Sequence, residues 1–310
     1  MRSFLSIVFA FLIALPGQSQ NTVGKGNVIP VVGYWHLGKT KKVQSTNTKT
    51  TVKNGKAKTE TITCNATWKI ADSTEKNYII HYTYNSFSSS NPNDSFMMAY
   101  FEVLKGVTLK YRTSETGVFD TILNMDEVIK RSKTGLDMAF KRLKWPSNAI
   151  TKGIADRISV LLNNPHLMYS SFSEEMVIIH YFHGLEYKLN TPYTYDIALD
   201  NPWGGEYYPS KAVFKLTAIN AAADKIKLNA TVTPVPAEYK RILYETLVEL
   251  ANQIQAPKPK KTDLETSTVI QKCEAELSLA ECWPLKLTFA KISTLKTDKN
   301  TETITITFTD

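Results

Sequence analysis

The residues whose chemistry could go beyond packing are five histidines, three cysteines and a few clusters of tyrosine and tryptophan. His180 and His183 lie three apart, a spacing that puts both imidazoles on one helix face and could place them on one metal ion. A third ligand is wanting: Glu186 lies beyond a helix stop at Gly184, and no cysteine is near. The pair therefore reads as packing and helix-end structure, and no metal or other cofactor is expected. No Gly-x-Ser-x-Gly elbow, His-Glu-x-x-His, phosphate loop or Gly-x-Gly-x-x-Gly run occurs. No catalytic residue is assigned, and a non-enzymatic protein is expected. A hydrolase assembled from distant positions would show itself as a histidine bonded to a carboxylate in a cleft.

The aromatic residues suggest binding. Tyr78, Tyr82, Tyr84, Tyr100, Phe101, Tyr111 and Phe119 recur over consecutive strand-like runs. A concave sheet lined this way and closed by amphipathic helices would hold an apolar or lipid-like ligand. The expected walls are Tyr78, Tyr82, Tyr100 and Phe101, with Met125, Val128 and Ile129 as the lid. An alternative site is on the surface, where Trp203, Tyr207 and Tyr208 flank two glycines and could offer flat rings to a sugar, as in a cell-surface binding module. Cys273 and Cys282 are nine apart and form the candidate disulfide, while Cys64 in an alternating run reads as a small buried hydrophobe.

Strands and helices must position these groups. Residues 41–53 and 56–70 are Thr-rich runs joined by Asn54-Gly55, a strong hairpin signal. Their polarity suggests strands with one face in water, placed at a sheet edge and guarded by lysines. Further strands are expected at 28–34, 76–84, 98–104, 107–112 and 118–123, with a loop over 86–94. Asn124 and Glu127 suggest a capping box opening a helix that runs to Trp145-Pro146, with Gly135 as a weak point. A second helix spans 150–162, stopped by Asn163-Asn164-Pro165, and a third, capped by Ser171, spans 174–183. Strands follow at 193–199, 211–220 and 225–233. Pro236 then begins a helix with Tyr239, Leu243, Thr246, Leu247, Leu250 and Ile254 along one face. Strands at 266–272, 285–293 and 301–307 close the chain. The fold class is α+β, mainly antiparallel, in two similar halves (20–165 and 166–310), each a curved sheet with amphipathic helices packed on it.

Met1–Ser19 carries one early positive charge, an apolar run and small residues at Gly17 and Ser19, which suggests a signal peptide cleaved near Ser19 and a secreted or periplasmic address. No later run is long enough for a membrane helix. The formal charge of +8 is spread among acidic residues, so no nucleic acid is expected as a partner. A lipid-like ligand or an envelope protein fits better.

Residues 34–52, the run NYIIHYTY at 77–84, and TLKYRTSETGVFDTILNMDEVI at 108–129 together resemble a family of secreted bacterial proteins defined only as a domain of unknown function. The resemblance implies a strand, a glycine turn, a strand and a helix in that order. More loosely, a curved sheet with helices against it is similar to periplasmic lipoprotein carriers, which implies a fold and no site.

Overall fold

After a short first strand, β1 (Val28–Val31), the Thr-rich runs fold as two long strands, β2 (Thr40–Lys53) and β3 (Lys56–Ser73). Asn54 and Gly55 join them, both at positive φ (50° and 74°), the geometry that matches the twist of paired strands. The computed structural model describes residues 23–24, 27–91, 101–143, 164–201, 205–253, 255–295 and 297–310.

The remaining strands are β4 (Asn77–Ser89), β5 (Thr108–Ser114), β6 (Phe119–Ile122), β7 (Leu185–Lys188), β8 (Pro192–Leu199), β9 (Tyr208–Asn220), β10 (Lys225–Pro234), β11 (Thr268–Ser278), β12 (Pro284–Leu295) and β13 (Asp298–Thr309). Among the described residues three long helices accompany them: α1 (Met125–Leu143), α2 (Pro165–Ile179) and α3 (Pro236–Gln253). β1 pairs with β7. The other eleven strands form one antiparallel sheet in the order β6-β5-β4-β3-β2-β13-β12-β11-β10-β9-β8.

The mainly antiparallel α+β class is therefore what folds, but the halves do not each build a sheet. The first and last long strands pair from Lys42↔Thr309 to Val52↔Lys299 and fuse everything into one sheet. This also places β2 and β3 in the middle of the sheet and not at its edge. Their threonines are tolerated there because one sheet face meets water. On that face Thr46–Thr63, Thr48–Thr61 and Thr50–Thr59 join hydroxyl to hydroxyl at 3.4, 3.3 and 3.0 Å. On the other face Val43, Ala66, Trp68 and Ile70 are buried.

That buried face is concave. β3 and the turn before β12 are separated by β2 and β13, about 14 Å across a flat sheet. Yet the rings of Trp68 and Trp283 lie 4.6 Å apart. The pairing shifts at Asn65/Ala66, Ile70/Asp72 and Glu276/Leu277 contribute the bend.

Several local expectations change. Residues 101–104 are helical, not strand, and 98–100 lie outside the described residues. β4 continues through 86–89, where a loop is expected. Asn124 does begin α1, and its side chain reaches both ways: Oδ1 accepts from the Lys110 N–H, while Nδ2 donates to the Thr108 carbonyl and to Glu127 Oε2 (3.3 Å). The helix start is thus tied to β5. Gly135 does not act as a weak point. A Cβ there would stand 2.1 Å from Val103 Cγ1, so glycine is what lets α1 approach the 101–104 turn. The expected 150–162 helix lies outside the described residues. α2 begins at Pro165, where proline's missing N–H costs nothing, so Ser171 falls inside the helix and does not cap it.

Candidate ligand-binding site

The expected aromatic walls do come together, but as a packed core. Tyr82 on β4 and Val128 on α1 are buried, and Met125 and Ile129 are half-buried against the same core. Tyr78 donates its hydroxyl to the Gly33 carbonyl at 2.9 Å. Phe101 stacks on Phe87 at 4.7 Å and 9°, while Tyr100 lies outside the described residues. None of these residues lines either of the spaces described below.

A polar chain runs through this core. Trp68 Nε1–H donates to Tyr111 Oη at 2.5 Å, which leaves the phenol proton for His180 Nε2, 3.0 Å away. Burial, and then the neighbouring His183, hold the His180 imidazole well below its usual value. His183 meets the Cys282 carbonyl through Nε2 at 3.1 Å, and burial lowers its pKa to about 4. Both rings pack edge-on against Trp35. The Tyr82 hydroxyl donates to Glu175 Oε1 at 2.8 Å. Burial raises that carboxyl, against hydrogen bonds from Ser45 and Tyr82 that lower it. His36, His81, His180 and His183 are the histidines whose side chains are described, and none bonds a carboxylate. The chain pairs several polar groups inside an aromatic core, while the buried Trp35 and Trp283 Nε1 atoms of that core have no hydrogen-bond partner among the described residues.

Open space lies at the opposite end of the concave face, where α3 crosses. Leu199 (β8), Tyr208 (β9), Tyr239 and Leu243 (α3) and Val269 (β11) line a cavity of about 260 Å³, with Asp200, Gln271, Lys291 and Ser293 at its rim. Period-2 alternation along the strands turns Leu199, Tyr208 and Val269 to the helix, and the i, i+4 spacing of Tyr239 and Leu243 turns both back. These residues belong to a small core of their own, with Ile242 and Leu264, separate from the large one. One wall is fastened by polar contacts: Tyr208 donates to Asn201 Oδ1 (3.0 Å), and Asn201 Nδ2 donates to Thr246 Oγ1 (3.0 Å). Tyr208 also meets Tyr239 edge-on at 5.0 Å, and burial raises its hydroxyl to about 12.

Beside the cavity, a second, more open space of about 370 Å³ continues over β12, β13 and β2. It is lined by Lys49, Lys53, Lys291, Ser293, Asn300 and Glu302, among others. Lys291 and Ser293 border both spaces, so the two form one groove with an apolar end and a basic end.

The surface alternative is corrected here. Tyr207 is 57 % exposed and Tyr208 only 4 %, because neighbouring residues at a strand start face opposite sides of the sheet. They do not form one flat platform, and Trp203 lies outside the described residues. The disulfide is corrected as well. Cys273 sits in mid-β11, paired with Ala230 and Phe289, whereas the Cys282 N–H bonds to the Ser278 carbonyl. Five residue steps along the strand separate Cys273 from Ser278, about 16 Å, far beyond the Cα separation a disulfide spans. All three cysteines are buried free thiols. Burial raises the Cys273 thiol to about 12, and the nearby Glu274 charge adds to this.

Among the described residues no helix is long and apolar enough to cross a membrane. No family model and no curated protein matches the chain. Among solved structures, the chain is similar to lipovitellin, in a structure described by its lipid–protein interactions. The TM-score is 0.41 and the identity 9 %, over 89 % of this chain and 25 % of that one. The chain thus spans about a quarter of the length of that protein.

Proposed function

We propose that this chain is an exported, non-enzymatic binder of an apolar or amphipathic small molecule, held between the concave sheet face and α3. The observation that supports this reading is the cavity of about 260 Å³ whose walls are Leu199, Tyr208, Tyr239, Leu243 and Val269. Ligand pockets are commonly concave, mostly apolar and bordered by a few placed polar groups, and this one has that composition. The exported address rests on the Met1–Ser19 pattern, and recovery of extracytoplasmic protein beginning at Gln20 is its test; protein beginning at Met1 would contradict it.

The binding test uses N-phenyl-1-naphthylamine, a neutral dye that fluoresces in apolar surroundings. The wild-type chain should give a saturable, single-site rise in fluorescence. Leu243→Trp, which fills the cavity from α3, should weaken that uptake by about tenfold or more, since excluding an apolar ligand forfeits its buried surface. No saturable uptake, or uptake indifferent to Leu243→Trp, would refute the reading.

A further inference from the structure

The groove differs in charge at its two ends, and this identifies what it takes. Lys291 on β12 is half-buried where the apolar cavity meets the open groove, and it lines both. Among the described residues no carboxylate lies within ion-pair distance of its ammonium. Its cross-strand neighbour Glu302 already accepts a hydrogen bond from Asn47 Nδ2 at 3.0 Å. Lys49, the partner of Glu302 on its other side, and Lys53 add two more cations along the same face. Glu174, an exposed residue of α2, lies within electrostatic reach of both Glu302 and Lys291 but outside ion-pair distance of the ammonium. At the other end of the cavity the exposed Asp200 has the opposite sign. An ammonium without an ion-pair partner beside an apolar wall is placed to make a charge-assisted contact with an incoming anion.

We infer that the ligand is an anionic amphiphile, with its apolar chain beneath α3 and its acidic head on Lys291. This rests on the reading above and names the chemical class. The residue register supports the geometry: Val269 and Ser293 are cross-strand partners, and Gln271 and Lys291 form the next pair on the same face. That places the head about 7 Å from the apolar wall along the strands. The Asp200 carboxylate repels an anion from the far end, so one orientation is favoured.

The test compares oleate with oleyl alcohol, which share a chain and differ in the head, by competition against N-phenyl-1-naphthylamine. Oleate should bind about tenfold tighter than the alcohol, the order expected for one charge-assisted contact. Lys291→Met keeps the stem and removes the charge. It should abolish that preference by weakening oleate about tenfold more than oleyl alcohol, and leave the circular dichroism spectrum as in the wild type. Raised salt should narrow the preference in the wild type only. Equal binding of both ligands, or an oleate preference that survives Lys291→Met, would overturn the anionic head site while leaving the apolar cavity standing. Failure of both ligands to displace the dye would overturn the two readings together.

Discussion

Acid should destabilise this fold through His183, and the structure sets the size of the effect. The imidazole is buried between Trp35, His180 and the turn that presents the Cys282 carbonyl, and burial lowers its pKa from 6.5 to about 4. The folded chain therefore holds it neutral down to about pH 4, whereas the unfolded chain protonates it near 6.5. The contribution is complete above pH 6.5 and is lost progressively as the pH falls to about 4. A depression of that size corresponds to about 3 kcal/mol. His180, also lowered, acts with the same sign. Glu175 acts with the opposite sign: its raised pKa means that the folded chain takes up a proton first, which adds stability as the pH falls toward the ordinary carboxyl value. Comparison with His183→Gln removes that ring together with its downward push on His180, while the buried His180 and Glu175 remain. Guanidinium unfolding at half-unit steps from pH 7.5 to 4 should show the wild type losing its advantage over the variant by up to about 1.4 kcal/mol per pH unit below 6.5. Two curves that stay parallel across this window would refute a buried neutral His183.

Three further outcomes follow from local geometry. Gly117 has φ +88°, and a Cβ there would stand 2.9 Å from the His183 ring, so Gly117→Ala should cost about 2–3 kcal/mol in thermal unfolding; an unchanged Tm would contradict that packing. The Asp224 carboxylate accepts from Ser278 Oγ and the Ala280 N–H, both at 2.8 Å, joining the turn before β10 to the turn before β12. Asp224→Ala should cost about 2 kcal/mol, and Asp224→Asn less, because asparagine keeps an acceptor and tolerates the left-handed backbone. Titration with a thiol reagent, without reductant, should label none of the three cysteines quickly in the folded chain and all three in guanidinium. Labelling of Cys64 alone in denaturant would restore the Cys273–Cys282 bridge.

What could be read from the chain divides along local and long-range lines. The Asn54-Gly55 turn, the alternating threonines and the Pro236 helix with its Tyr239–Leu243 stripe are set by neighbours a few residues apart, and each formed as read. The pairing of β2 with β13 joins residues more than 240 apart, and no local pattern encodes it. That pairing turned two expected sheets into one and moved β2 and β3 from an edge to the centre. The ligand site moved for the same reason. Tyr78, Tyr82 and Val128 are apolar enough for either a wall or a core, and the curl of the sheet against α1 and α2 packed them solid. Leu243 was visible as an inward-facing helix residue, but Tyr208 read as a surface ring beside Tyr207, and which strands α3 would cross was not encoded locally. The pairing of Cys273 with Cys282 failed on rise per residue: an extended strand carries the first away from the turn holding the second.

The central claim, that the space beneath α3 receives an apolar ligand, is tested most directly by methyl NMR of the chain with and without one equivalent of oleyl alcohol. The methyl signals of Leu199, Leu243 and Val269 should shift, while those of Val128, Ile129 and Ile80 stay in place. Shifts confined to Val128, Ile129 and Ile80, or no shifts at all, would contradict it.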